Sequence, residues 1–73
     1  MSTAPSGIRI TVNGVPSECP PGLSVAELLR HLNVPAERVA VERNREIVRR
    51  DRRGAQTVQP EDVFEIVTFV GGG

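Results

Sequence analysis

The sequence predicts an α+β fold in which one main helix packs on one face of a mixed sheet of about four to five strands. Three observations predict it: alternating apolar residues on both sides of Asn13-Gly14, a short amphipathic stretch after Ser24, and a long apolar run from Val63 to Val70. The 73 residues suffice for one domain with a thin core. A chain of this size is more typical of a binding surface or a carrier than of an enzyme with a deep cleft.

The first two strands are predicted to form a hairpin. Apolar and polar residues alternate from Ile8 to Val12, which is the period of a half-buried strand. Asn13-Gly14 follows, and both residues readily adopt the positive φ that a two-residue type I′ turn requires. This turn sets Val12 opposite Val15 and Ile8 opposite Cys19, so we assign Cys19 to the core.

A short helix is predicted after Ser24. Ser24 can cap the helix, and Glu27 stands at the reciprocal position of a capping box. Apolar residues then recur at the spacing of one helical face: Val25, Leu28, Leu29 and Leu32. Asn33 and Pro35 end the helix, which is so short that its stability must come from packing on the sheet.

The second half of the chain contains the remaining predicted strands. Val39–Val41 and Ile47-Val48 flank a polar break at Arg43–Arg45, and Val63–Val70 is the last strand. A hairpin, a crossing helix and a final strand inserted beside the first give the β-grasp, or ubiquitin-like, arrangement. We therefore predict a disordered lead-in (1–7), a β-grasp domain (8–70) and a flexible glycine tail (71–73).

Composition excludes several classes of function. The formal net charge is zero, which disfavours non-specific attraction to nucleic acid or anionic lipid. One cysteine can form neither an internal disulfide nor a thiolate metal cluster, and His31 has no second ligand at metal-binding spacing. The sequence shows no signal peptide and no run of about 20 apolar residues. We expect a cytoplasmic protein that binds no metal, no nucleic acid and no membrane.

Arginines concentrate in residues 43–53. We interpret this basic cluster as a solvated loop that also steers an acidic partner, because the stacking aromatic residues typical of single-strand nucleic-acid binding are missing from it. Its members are Arg43, Arg45, Arg49, Arg50, Arg52 and Arg53.

The feature that carries chemistry is Gly71-Gly72-Gly73 at the end of the sequence. Glycine has no Cβ, so such a backbone can enter a narrow channel and lie flat against another protein. The α-carboxylate of Gly73 is then the functional group at the tip. A free carboxylate is a poor electrophile, but adenylation activates it. A sulfur nucleophile that displaces AMP leaves a thiocarboxylate.

Four segments of the chain resemble the ThiS family of sulfur carriers. Ile10–Val15 resembles the family's opening, and Gly22–Leu29 resembles its entry into the helix. Val41–Val48 is similar to the family's middle segment. The most specific match is the ending, Asp62–Gly73, and the resemblance covers nearly all of residues 8–73.

This resemblance implies a carrier that is not an enzyme and binds no cofactor itself. An E1-like adenylating enzyme would activate Gly73 with ATP, and a sulfurtransferase or desulfurase relay would supply the sulfur. The thiocarboxylate would donate that sulfur to thiazole synthase for the thiazole ring of thiamine. Gly71 and Gly72 would complete the reactive tail.

A partner-docking surface is predicted beside the tail. If Phe64 faces the core, the period of a strand turns Glu65, Val67 and Phe69 outward. Apolar residues clustered on the surface of a small domain tend to mark interfaces. We therefore predict that these three residues, together with Val70, contact the partner enzymes.

The sequence is compatible with two alternative functions. The small subunit of molybdopterin synthase shares the fold, the tail and the chemistry but delivers sulfur to a pterin. The ending Glu65–Val67 and the triple glycine favour ThiS. A β-grasp binding module with an inert tail, for instance an RNA-binding domain, is the alternative of another class. A residue added after Gly73 separates them, since a carrier would lose its activity and an inert tail would tolerate the addition.

Overall fold

The computed structural model describes residues 7–69, which form a sheet of five strands and one α-helix. In chain order the elements are β1 (Ile8–Val12), β2 (Val15–Cys19), α1 (Val25–His31), β3 (Val39–Arg43), β4 (Glu46–Ile47) and β5 (Val63–Thr68). Short 3₁₀ turns at Ala36–Arg38 and Arg50–Arg52 lie in the connections. Across the sheet the strands follow the order β2-β1-β5-β3-β4.

The last strand lies at the centre of the sheet. β5 pairs parallel with β1, where Val12 lies opposite Phe64. On its other side β5 pairs antiparallel with β3, from Val39 opposite Thr68 to Arg43 opposite Phe64. A hairpin, a helix and a final strand inserted beside β1 confirm the predicted mixed sheet of β-grasp type.

The predicted register of the first hairpin is confirmed. Val12 lies opposite Val15, and Ile8 lies opposite Cys19. Asn13 has a φ of 51° and Gly14 a φ of 81°, the left-handed values that a type I′ turn requires. The Cys19 side chain is buried in the core, as the alternation predicted.

The helix begins where the sequence predicted. The Ser24 hydroxyl accepts a hydrogen bond from the Glu27 backbone N–H at 3.1 Å, and the Glu27 carboxylate accepts one from the Ser24 N–H at 2.8 Å. The hydrogen bond from the Ser24 backbone is the main cause that lowers the pKa of Glu27. The helix buries three side chains in the core that also contains Phe64 of β5. They are Val25, Leu28 and Leu29.

Strand bounds differ from the prediction at β4. The strand comprises Glu46–Ile47, one residue earlier than predicted, because Val48 turns inward, is buried and donates its N–H to the Val41 carbonyl at 2.9 Å. The last strand was predicted to run to Val70, but β5 ends at Thr68, because its partner β3 begins at Val39 and Arg38 belongs to a 3₁₀ turn. Val70, the tail 71–73 and residues 1–6 of the predicted lead-in lie outside the described residues.

Candidate functional site

The outward side of β5 is arranged as predicted. Phe64 is fully buried, whereas Val67 and Phe69 are each 57% exposed. Glu65 is exposed on the same side of the strand as Val67. The predicted orientation is therefore confirmed, and the docking role stays a prediction. The other predicted site residues, Val70, Gly71, Gly72 and Gly73, lie outside the described residues.

The outward face continues across β3 to Ile47 of β4, a residue that sequence reasoning missed. Ile47 is 73% exposed and lies opposite Glu42, which in turn lies opposite Glu65 of β5. In a second cross-strand row, Ala40 of β3 lies opposite Val67 of β5. A shallow groove lies over these rows, and we call it the sheet-face groove. It is lined by Ala40, Val41, Glu42, Ile47, Glu65 and Val67.

Two asparagine side chains hold β5 in place from opposite sides. Asn13 Nδ2 donates to the Ile66 carbonyl at 3.1 Å, and Asn13 Oδ1 accepts from the Ile66 N–H at 2.7 Å. The Asn13 side chain thus makes the two hydrogen bonds that the backbone of a neighbouring strand would make, because β1 ends at Val12. At the start of β5, Asn44 Oδ1 accepts from the Val63 N–H at 2.9 Å. The exposed side chains of β5 are therefore presented on a fixed strand.

A buried carboxylate fixes the start of β5. Asp62 is 5% exposed and accepts hydrogen bonds from Arg43 Nε at 2.9 Å, Asn44 Nδ2 at 3.0 Å and the Gln59 N–H at 2.8 Å. Arg43 also donates to Gln56 Oε1 at 3.1 Å. Because the carboxylate has three donors, its burial is compensated, and Arg43 is part of the structural framework.

The prediction of a solvated basic loop is wrong for two arginines. Arg43 is paired with Asp62, and Arg53 is only 7% exposed. The Arg53 guanidinium donates to the carbonyls of Ala36 at 2.9 Å and Val39 at 2.7 Å, and burial is the main cause that lowers its pKa. The remaining members are exposed as predicted: Arg45, Arg49, Arg50 and Arg52.

The single thiol is placed for packing. Cys19 is 3% exposed, and burial raises the pKa of its thiol, which disfavours the reactive thiolate. Within residues 7–69, no group of His, Cys, Asp and Glu side chains is arranged to hold a metal ion. In the same part of the chain, no helix has the length and apolar character needed to cross a membrane.

A family model and a solved structure match this chain over most of its length. Residues 10–73 match the model of the ThiS family. The crystal structure of a thiamine biosynthesis protein (ThiS) from Geobacter metallireducens is similar with a TM-score of 0.79 and 43% sequence identity. That match covers 90% of this chain and 100% of the Geobacter protein.

Two further relatives differ in size. A thiazole synthase from Magnetococcus marinus is 41% identical over 66 residues, which are 90% of this chain but 20% of that protein. This chain therefore spans about a fifth of the length of that relative. An uncharacterized protein ycf40 from Pyropia yezoensis is 37% identical over 68 residues, covering 93% of this chain and 96% of the Pyropia protein.

Proposed function

Since this chain belongs to the ThiS family of sulfur carriers in thiamine biosynthesis, we propose that it carries sulfur as a thiocarboxylate on Gly73. An E1-like adenylating enzyme transfers AMP from ATP to the Gly73 carboxylate and releases pyrophosphate. A sulfurtransferase or desulfurase relay then supplies a hydrosulfide equivalent, which attacks the acyl carbon as AMP leaves. In this proposal the carrier is a co-substrate that binds no cofactor and catalyses no step.

The observation that supports this proposal most is a family match that includes the glycine tail, on a fold that fixes the strand before it. β5 lies between β1 and β3, and the Phe69 N–H donates to the Arg38 carbonyl at 2.7 Å. The sheet therefore fixes the chain as far as Phe69, which precedes Gly73 by four residues. Gly71 and Gly72 have no Cβ, which suits entry into a narrow enzyme channel.

The proposed docking surface consists of Glu65, Val67, Phe69 and Val70. Val67 and Phe69 are more than half exposed, although Val67 is paired with Ala40 of β3 and the Phe69 N–H donates to the Arg38 carbonyl. Apolar side chains on a fixed strand can be buried against a partner with little loss of conformational entropy. Docking there would bring the tail to the partner's active site.

Thiazole synthase is the proposed sulfur acceptor. The Magnetococcus marinus protein of that name contains a segment 41% identical to 66 residues of this chain. A carrier segment and an acceptor enzyme within one polypeptide are expected to act together, which favours a thiazole over a pterin as the product. We propose that the transfer takes place in the cytoplasm, where the adenylating enzyme has access to ATP.

The test is the intact mass of the untagged chain after incubation with the adenylating enzyme of its genome, ATP and a sulfur donor. We expect a gain equal to the replacement of one oxygen by sulfur, located in the carboxyl-terminal peptide. A matched control with one alanine added after Gly73 should stay unmodified. No gain on the natural chain, with an enzyme preparation that modifies another ThiS protein, contradicts the proposal and favours a binding module with an inert tail.

A further inference from the structure

The sheet-face groove combines apolar side chains with two carboxylates. Ile47 and Val67 are the exposed apolar groups, at 73% and 57% exposure. Glu42 and Glu65 lie directly opposite each other on β3 and β5, in the same row as Ile47. The residues that line the groove include no arginine and no histidine. The groove is therefore an apolar surface with a single sign of charge.

The two glutamates form an unfavourable pair within the isolated domain. Like charges directly opposite each other on neighbouring strands destabilise a sheet. The ion pairs found among residues 7–69, Arg43 with Asp62 and Arg49 with Asp51, include neither Glu42 nor Glu65. The hydrogen bonds of the described side chains do not involve them either. A cationic group from outside the domain would relieve this repulsion.

The size and position of the groove favour a protein partner. Its volume of about 270 Å³ is below the roughly 300–1,000 Å³ of typical small-molecule sites. It is open on the face of the sheet, and its lining residue Val67 precedes Phe69, the last described residue, by two positions. A partner that binds the predicted docking residue Val67 would therefore also contact the groove.

We propose that the sheet-face groove receives a basic side chain, arginine or lysine, that rises from an apolar patch on thiazole synthase. Glu42 and Glu65 pair with the cation, while Ile47 and Val67 pack against the apolar surface around it. This inference rests on the proposed function, because the segment similar to this chain within a thiazole synthase polypeptide identifies the partner. The unfavourable glutamate pair is then explained as a recognition element that lowers the stability of the free carrier.

The test measures the affinity and the stability of the same variants. Affinity for purified thiazole synthase of the same genome is measured by titration calorimetry for the full chain, for Glu42→Gln, for Glu65→Gln and for the double variant. We expect the double variant to bind about tenfold more weakly, with a weaker dependence on salt. Its melting temperature should rise by about 2 °C, because the repulsion is removed.

Glu46→Gln is the matched control. Glu46 is also an exposed glutamate, it lies on β4 directly before Ile47, and it does not line the groove. We expect it to change the affinity by less than about twofold, as a charge outside the contact should. A similar loss of affinity in this control would attribute the effect to net charge and overturn the proposal.

The remaining outcomes separate this inference from the proposed function. If the natural chain binds thiazole synthase and gains sulfur on Gly73 while the double variant binds equally well, the groove inference alone is wrong. If the natural chain gains sulfur but the variants weaken binding only to the adenylating enzyme, the assignment of thiazole synthase as the partner at the groove is wrong. If the natural chain neither binds nor gains sulfur, both proposals fail. A double variant that is less stable than the natural chain also overturns the inference.

Discussion

Two hairpin turns of the same geometry hold the two halves of β5, and they differ in their second residue. The φ angles are 51° and 81° at Asn13-Gly14, and 52° and 72° at Asn44-Arg45. In both turns the asparagine side chain accepts a backbone N–H of β5, from Ile66 at 2.7 Å and from Val63 at 2.9 Å. The same local device therefore fixes the strand twice.

The difference shows where the fold tolerates strain. Gly14 adopts the left-handed backbone without a Cβ, whereas Arg45 adopts it with one, at a cost of about 1–2 kcal/mol. The Asn44 turn has additional support, because Asn44 Nδ2 donates at 3.0 Å to the buried carboxylate of Asp62. Among residues 7–69, the Asn13 side chain hydrogen-bonds only to the backbone of Ile66, and the Asn13 N–H donates to the Phe64 carbonyl at 2.8 Å. The start of β5 is thus supported by a buried polar network, whereas on the side of β1 its later half is held by the side-chain amide of Asn13.

Removal of the network at the Asn44 turn has the largest expected effect. Asp62→Ala should lower the free energy of unfolding by about 3 kcal/mol, because it leaves the partly buried Arg43 and the Asn44 amide without their acceptor. Urea denaturation measures the change. Asp62→Asn, which keeps the shape and part of the hydrogen bonding, should lose less. Equal losses for the two variants would contradict a role for the charge.

Removal of the amide at the Asn13 turn should have the next largest effect. Asn13→Ala loses both hydrogen bonds to Ile66 and the preference for the left-handed backbone, so we expect a loss of about 2 kcal/mol. Asn13→Asp keeps the acceptor for the Ile66 N–H but faces its carbonyl with a carboxylate. Its loss in urea denaturation should be smaller than that of alanine. An Asn13→Ala protein as stable as the natural chain would show that the amide does not hold β5.

Exchange of the second turn residues should produce effects of opposite sign. Arg45→Gly should raise the free energy of unfolding by about 1 kcal/mol, because it removes the Cβ from a left-handed backbone. Gly14→Arg should lower it by about the same amount. A Cβ at Gly14 would have no atom within 4 Å, so the backbone and not a clash decides the result. Melting temperatures that move in the same direction would contradict this explanation.

The capping box of Ser24 and Glu27 lies away from both turns, and its removal has the smallest expected effect on stability. The pKa of Glu27 is lowered in the folded state, chiefly by the hydrogen bond from the Ser24 backbone. The contribution of the capping box is therefore fully present above the unfolded pKa and is lost as the pH falls through the lower, folded pKa. Glu27→Gln should flatten this part of the stability curve, while Asn13→Ala and Arg45→Gly should keep it. An unchanged curve for Glu27→Gln would contradict the assignment.

The parts of the fold that sequence predicts well depend on local contacts. The type I′ turn at Asn13-Gly14 sets the register of β1 and β2, and Ser24 and Glu27 meet within one helical turn. The burial of Arg53 was not predictable, since its acceptors at Ala36 and Val39 are 17 and 14 residues away in the chain. The sequence of a charged segment does not show which of its side chains will be buried against distant parts of the chain.

The candidate site likewise has one part that local sequence patterns predict and one part that depends on contacts between distant strands. Alternation along β5 predicts the outward positions of Val67 and Phe69, because the period of a strand is local. The half of the groove on β3 and β4 depends on the register between strands, which brings Ile47 and Glu42 into one row with Glu65. The adjacent apolar pair Ile47-Val48 was the available signal in the sequence, since neighbours on a strand face opposite sides and one of the two must then point outward. The role of Gly73 was predicted from the glycine tail together with the resemblance, and it stays a proposal.

The most direct test follows sulfur from the carrier into a product. The chain is loaded with a heavy sulfur isotope on Gly73, purified, and incubated with thiazole synthase and its other substrates. We predict that the heavy isotope appears in the thiazole in an amount that matches the thiocarboxylate consumed. Thiazole that forms without the label, or a labelled carrier that stays unchanged while the enzyme uses another ThiS protein, would contradict the proposal that this chain is the sulfur donor.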